Sequence, residues 1–130
     1  MIGRLLLTAI ILLACYAPLS DLPKVTIAPI EVSRGGERTL TMQATAYCNC
    51  AICCDTATGI TASGAAASEI TIAADWDVLP AGIWVQIEGI GRRQVQDRGA
   101  GIVGNRLDVW CESHAAAVSF GRRQVEVVVE

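Results

Sequence analysis

The sequence predicts an all-β fold, a small closed or nearly closed barrel of about six short strands with one short helix. Three observations point there. Apolar and polar residues alternate with period two in run after run from Thr39 onward, as strands with one buried face require. Glycine- and proline-marked turns separate the runs. Helical pattern is confined to one stretch, too little for a βαβ protein, and closure hides the strand edges best.

Two segments precede the barrel. Met1 to Arg4 carry one positive charge, and Leu5 to Ala14 form an almost unbroken apolar run. Spanning a bilayer takes about 20 apolar residues, so the run is too short for that and matches the apolar region of an export signal. Leu12-Leu13-Ala14-Cys15 resembles a bacterial lipobox, in which Cys15 is the lipidation site. The alternative is an ordinary signal, or an uncleaved short anchor, with an incidental cysteine. Pro18, Pro23, Pro29 and Gly35-Gly36 make the next stretch a tether, to which Val25-Thr26-Ile27 could add a short edge strand. The expected organisation is 1–15 signal peptide or lipoprotein signal, 16–38 linker, and 39–130 barrel domain.

Within the domain, Leu40, Met42 and Ala44 alternate with Thr41, Gln43 and Thr45, a first strand ending at Tyr47. Ile70 to Ala74 is a second strand. Leu79-Pro80-Ala81-Gly82 marks a turn before a strand over Ile83–Ile87, and Gly89 to Gly91 closes it. Arg93–Asp97 is a short strand and Gly99–Gly104 a glycine-rich loop. Arg106–Cys111 places Leu107 and Val109 on one face and Arg106, Asp108 and Trp110 on the other. Ser113 suits the cap of a helix through Phe120, and Gly121 its end. Gln124–Val129 is a β-branched last strand.

The chain has 130 residues, 52% apolar and 18% charged, which suits one core-forming domain. A net charge of −3 and no dense basic face exclude a nucleic-acid partner. Gly99-Ala100-Gly101-Ile102-Val103-Gly104 fits the dinucleotide fingerprint G-x-G-x-x-G, but a strand and not a helix follows it, so no cofactor is implied. The three aspartates Asp75, Asp97 and Asp108 are more informative. Asp75 and Asp97 end apolar strands, and Asp108 interrupts one. A carboxylate within an apolar strand is costly to desolvate unless it is paired or used. The spacing allows all three to converge on one acidic cleft; turn capping is the competing reading, strongest for Asp75 before Trp76-Asp77 and weakest for Asp108.

Several segments occur in a telling order: Thr45-Ala46-Tyr47-Cys48, Gly59-Ile60-Thr61-Ala62-Ser63-Gly64, Ile72-Ala73-Ala74-Asp75, Leu79-Pro80-Ala81-Gly82, Asp97-Arg98-Gly99 and Gly104-Asn105-Arg106-Leu107-Asp108-Val109. Ser113-His114-Ala115-Ala116-Ala117 and Phe120-Gly121-Arg122-Arg123 follow. Together they resemble the 3D domain family, named for three aspartates, and are similar to the catalytic barrel of membrane-bound lytic transglycosylase A. The resemblance implies a six-stranded double-psi β-barrel. It also implies cleavage of the MurNAc–GlcNAc β-1,4 bond of peptidoglycan, with the MurNAc 6-hydroxyl displacing the neighbouring sugar to leave a 1,6-anhydro end. Asp108 matches the family's acid/base, with Asp97 and Asp75 as the other two catalytic aspartates. Thr61, Ser63, Trp76, Gly99 and Asn105 fall at expected substrate-binding positions. Trp76 departs from the proline that often follows the first aspartate, and Ala100-Gly101 and Val103 depart from the usual run after the second, removing a lysine.

The chemistry agrees. A proton donor to a glycosidic oxygen must stay protonated near neutral pH, so an aspartic acid needs a pKa raised from about 3.9. Partial burial and a neighbouring carboxylate both raise it. Asp108 on an apolar strand near Asp97 suits both. A transglycosylase needs no second working carboxylate, because its substrate brings the nucleophile.

Cys48, Cys50, Cys53 and Cys54 form C-x-C-x2-C-C, for which disulfides are expected in an exported chain and metal binding is the alternative. Cys111 is left over if Cys15 is lipidated, which would make it a buried thiol, and His114 is expected to make a polar contact and not to catalyse. Trp84 reads as packing; Trp76 and Trp110 could pack or stack on a sugar. The expected partner is the peptidoglycan glycan strand, bound by a monomer. The expected place is the cell envelope, secreted or held by an N-terminal lipid or signal anchor. Two other readings stand beside the enzyme: a polysaccharide-binding barrel that does not cut, and a cysteine-rich metal protein.

Overall fold

Alternation along the first strand is the pattern on which the barrel is built. The computed structural model describes residues 36–130. The signal at 1–15 with Cys15, and residues 16–35 of the linker with Val25–Ile27, lie outside the described residues. The elements are β1 (Arg38–Tyr47), β2 (Thr71–Ala74), β3 (Trp84–Ile87), β4 (Gly91–Asp97), β5 (Arg106–Trp110), α1 (His114–Phe120) and β6 (Arg123–Val129). They close in the order β1-β5-β2-β4-β3-β6. This is a six-stranded mixed barrel with one short helix. The pairs β1/β5 and β2/β4 are parallel, and the other four are antiparallel.

Period-two burial explains the closure. Leu40, Met42 and Ala44 of β1, Leu107 and Val109 of β5, and Val125 and Val127 of β6 face one shared core. Ile72 and Ala74 of β2, Val85 and Ile87 of β3, and Val95 of β4 complete it. Leu79, from the turn after β2, is fully buried in the same core. Strand β2 is buried on both faces, because Thr71 and Ala73 on its outer side are also covered. Strand β4 starts two residues before the expected Arg93. Ile90 N–H donates to Ile87 O at 3.1 Å, and the resulting tight turn lets Gly91 and Arg92 pair with Ile87 and Gln86.

The helix forms as its ends foretell. Ser113 Oγ accepts the Ala116 amide at 3.2 Å, and Gly121 closes the helix at φ +66°, a conformation that favours glycine. Ala117 is its buried residue, and α1 packs on β1.

Candidate active site

The outer face of the barrel carries a polar row built by strand register. Thr45 of β1 pairs with Asp108 of β5, Asp108 pairs with Ala73 of β2, and Ala73 pairs with Asp97 of β4. Four neighbouring strands thus place Thr45, Asp108, Ala73 and Asp97 side by side. With strands about 4.8 Å apart, the Asp97 and Asp108 backbones stand about 10 Å from each other across Ala73. Alternation alone would send Asp97 inward with Val95. The β2/β4 register shifts: Ile72 pairs with Val95, but Ala73 pairs with Asp97, so Gln96 is passed over. This bulge turns Asp97 onto the face of Asp108. Gln96 is occupied elsewhere, accepting from Thr71 Oγ1 at 2.7 Å.

Each acid has its own surroundings. Asp108 is half-buried, and its Oδ1 accepts from Thr45 Oγ1 at 2.9 Å. Burial pushes its carboxyl above the ordinary range; the Thr45 bond and Arg106 oppose this, and Asp97 adds to it. Asp97 accepts three hydrogen bonds: Tyr47 Oη–H to Oδ2 at 2.9 Å, and the Ala62 and Arg98 amides to Oδ1 at 2.9 Å each. Burial first, then the bond to Asp97, holds the Tyr47 phenol well above its usual range, so it stays a proton donor to that carboxylate.

Asp75 is placed differently. Its Oδ2 accepts the Gly104 amide at 2.8 Å and its Oδ1 the Asp77 amide at 3.0 Å. Those amides hold its carboxyl below the usual range, Gly104 most strongly. Gly104 sits at φ +65°, which lets the loop before β5 turn back to this carboxylate. Asp75 Oδ2 therefore ties this turn to the loop before β5 and Oδ1 caps its own turn, while Asp97 and Asp108 share the row.

The expected binding residues divide as well. Thr61 and Ser63 flank the Ala62 amide that reaches Asp97, and their hydroxyls lie 3.0 Å apart. Trp76 packs against the core and donates from Nε1 to the Asp97 carbonyl at 3.0 Å, fixing the backbone of the second acid. Gly99 starts a turn closed by Ile102 N–H to its carbonyl at 3.0 Å, and a Cβ there would meet Ile102 Cγ1 at 3.2 Å. Asn105 contributes its carbonyl to Gln43 N–H at 2.8 Å, and its side chain is exposed. Trp84 lies under Arg92, 4.1 Å from its guanidinium. Trp110, two residues beyond Asp108 on the same face of β5, lines an open groove of about 510 Å³ with Ala67, Ser68, Glu69, Arg93 and Glu112.

Thr45 and Tyr47 belong to the row, although the sequence reading, which placed them in the first strand and in the Thr45-Ala46-Tyr47-Cys48 segment, gave them no part in the site. Their signal was parity: both continue the outward face of Thr41 and Gln43.

The cysteines converge beside this site. The loop directly after Tyr47 brings Cys48, Cys50 and Cys53 together with His114 of α1, their ligand atoms all within 4.8 Å of one another. Cys54 Sγ instead faces the Cys48 carbonyl at 3.2 Å. The five cysteines of the described residues, Cys111 among them, are free thiols.

Fold and site together define a class: a closed mixed barrel whose outer face presents two carboxylates in one row, with a third at a neighbouring turn. The 3D domain family matches residues 70–129, which hold all three aspartates. Thr45, Tyr47 and the cysteine loop lie outside the matched stretch.

Two curated proteins of Bacillus subtilis (strain 168) are similar. YabE, named for cell wall shaping, is 34% identical over 103 residues, covering 75% of this chain and 25% of its own. YocH, named a cell wall-binding protein, is 38% identical over 92 residues, covering 69% of this chain and 32% of its own. The chain thus spans a quarter to a third of the length of these relatives. Among solved structures, the lytic transglycosylase MltA of E. coli aligns at TM-score 0.49 and 17% identity, over 54% of this chain and 26% of that one. The lytic transglycosylase LtgG of Burkholderia pseudomallei aligns at TM-score 0.44 and 23% identity, over 54% and 25%. Likeness at that level says nothing about chemistry.

Proposed function

We propose that this domain is a peptidoglycan lytic transglycosylase. It cleaves the MurNAc–GlcNAc β-1,4 bond and leaves a 1,6-anhydro-MurNAc end. The observation that carries the reading is the half-buried Asp108, raised toward its protonated form and set in one row with Asp97. The 3D domain and relatives named for the cell wall support the choice of substrate.

In this reading Asp108 gives its proton to the leaving glycosidic oxygen as the C1–O4 bond breaks. The resulting carboxylate takes the proton of the MurNAc 6-hydroxyl as that oxygen closes on C1, so Asp108 ends protonated and no water is consumed. Asp97, held by Tyr47 and two amides, offers negative charge to the electron-poor sugar and disfavours ionisation of Asp108. Asp75 positions the loop that leads into β5 and Asp108. The Trp110 groove extends the same face and offers an aromatic surface for a neighbouring sugar. Residues 1–15 export the chain, anchored through Cys15 or released, and residues 16–38 tether the barrel 39–130 at the envelope.

One observation favours a second reading, a barrel that binds glycan without cutting it: YocH is named for cell wall binding. Digestion of purified sacculi separates the two. Release of anhydro-muropeptides by the parent chain, with a loss of roughly 10²–10⁴-fold in Asp108→Asn, is expected for a lost general acid. Sacculus pull-down without any released sugar would sink the enzyme and keep the binder.

A further inference from the structure

We infer that Cys48, Cys50, Cys53 and His114 form a structural zinc site that clamps the loop after β1 to helix α1. The inference rests on side-chain placement and is independent of any catalytic reading. Three thiols and one imidazole nitrogen make the Cys3His donor set of a closed tetrahedral site. Thiolates and imidazole together select zinc over the hard cations magnesium and calcium.

The spacing fits as well as the donors do. With Zn–S about 2.3 Å and Zn–N about 2.0–2.1 Å, tetrahedral edges are about 3.75 Å between sulfurs and about 3.5 Å between sulfur and nitrogen. Cys48 Sγ and Cys53 Sγ stand 3.7 Å apart. His114 Nδ1 stands 3.5 Å from Cys50 Sγ and 3.3 Å from Cys53 Sγ. The backbone prepares this: the Cys53 and Cys54 amides both donate to the Cys50 carbonyl, at 3.1 and 2.9 Å, folding Cys50-Ala51-Ile52-Cys53 into a turn. The fourth ligand comes from a different element, 61 residues beyond Cys53, at the first position of α1. Local C-x2-C spacing therefore shows half of the site, and the barrel supplies the rest.

The clamp has a mechanical consequence. Cys48 directly follows Tyr47, whose hydroxyl reaches Asp97, and the Tyr47 carbonyl accepts the Cys111 amide at 2.7 Å. A metal bridging this loop and α1 fixes the end of β1 beside the acid row. Cys54 and Cys111 lie outside the donor set and serve as internal controls.

The test uses the full chain, produced with zinc under reducing conditions and freed of loose metal. About one zinc per chain is expected by elemental analysis. Its cobalt form is expected to show thiolate-to-metal charge transfer and the intense visible bands of a tetrahedral site. Cys50→Ser and His114→Ala should each weaken zinc binding by roughly tenfold or more, whereas Cys54→Ser and Cys111→Ser should retain the metal. Should the ligand variants fail to fold, alkylation of the unaltered chain decides: zinc should protect three thiols, Cys48, Cys50 and Cys53, until a chelator is added. Reduced protein without stoichiometric zinc, a Cys48–Cys53 disulfide in its place, or zinc retained in both ligand variants would overturn the site.

Discussion

Burial makes the negative charge of Asp108 costly, and Asp97 in the same row makes it costlier still. The folded state therefore holds the Asp108 proton above the ordinary carboxyl value of 3.8. That contribution to stability is fully present below the ordinary value and is lost as pH rises through the raised one. Asp108→Asn is expected to keep or raise the melting temperature at neutral pH while activity collapses, the two proteins converging in stability below the ordinary value. Thermal melts across pH check this; a variant that melts well below its parent at neutral pH contradicts it. Activity should likewise fall as pH rises through the Asp108 titration, and the pH profile of muropeptide release measures that. Asp75 has the opposite sign. Its lowered carboxyl contributes stability above the ordinary value and loses it as pH falls through the folded one, so Asp75→Asn should destabilise the fold at neutral pH. Tyr47→Phe removes one of three donors to Asp97. A hydrogen bond to a charged group contributes about 1.5–3 kcal/mol to folding, so the melting temperature should fall by several degrees at least, and turnover should drop as Asp97 loses a donor that orients it. Unchanged turnover would remove Tyr47 from the site.

At the scale of elements, the aspartate row depends on a single irregularity. A uniform β2/β4 ladder would aim Asp97 at the core beside Val95, and the shift past Gln96 aims it outward. Sequence periodicity locates strands and their faces well, so six strands, the helix and its two caps were legible in advance. A bulge leaves almost no mark in one sequence, because it is a property of pairing between strands 25 residues apart, as Thr71 and Gln96 are. The convergence of His114 on three cysteines was illegible for the same reason. Its capping motif placed it correctly on α1, but only closure of the barrel brings α1 against the end of β1. Helix α1 has seven residues, too few to persist without its cap and its packing. Ser113→Ala should cost about 1 kcal/mol, or roughly 4–8 °C for a domain of this size, read by calorimetry. No change would mean that packing alone holds the helix.

For the whole molecule, one closed core supports everything on its outer face. The inward residues of all six strands meet in it, and the outward faces of β1, β5, β2 and β4 are thereby held in fixed register. Composition and alternation pointed to such a barrel, and the ordered motifs pointed to its family, which the match over 70–129 bears out. The roles of the three aspartates could not be read from spacing. They separate only when hydrogen bonds are seen: amides consume both oxygens of Asp75, Tyr47 and two amides hold Asp97, and Asp108 keeps one oxygen free of donors among the described residues. A barrel with one such acid suits a reaction whose nucleophile belongs to the substrate. The most direct measurement is digestion of purified sacculi in water enriched in oxygen-18, followed by mass spectrometry of the released muropeptides. Anhydro ends that carry none of the heavy oxygen are the expected result. Reducing ends labelled with it would show that water attacks the sugar, and would contradict intramolecular displacement driven by Asp108.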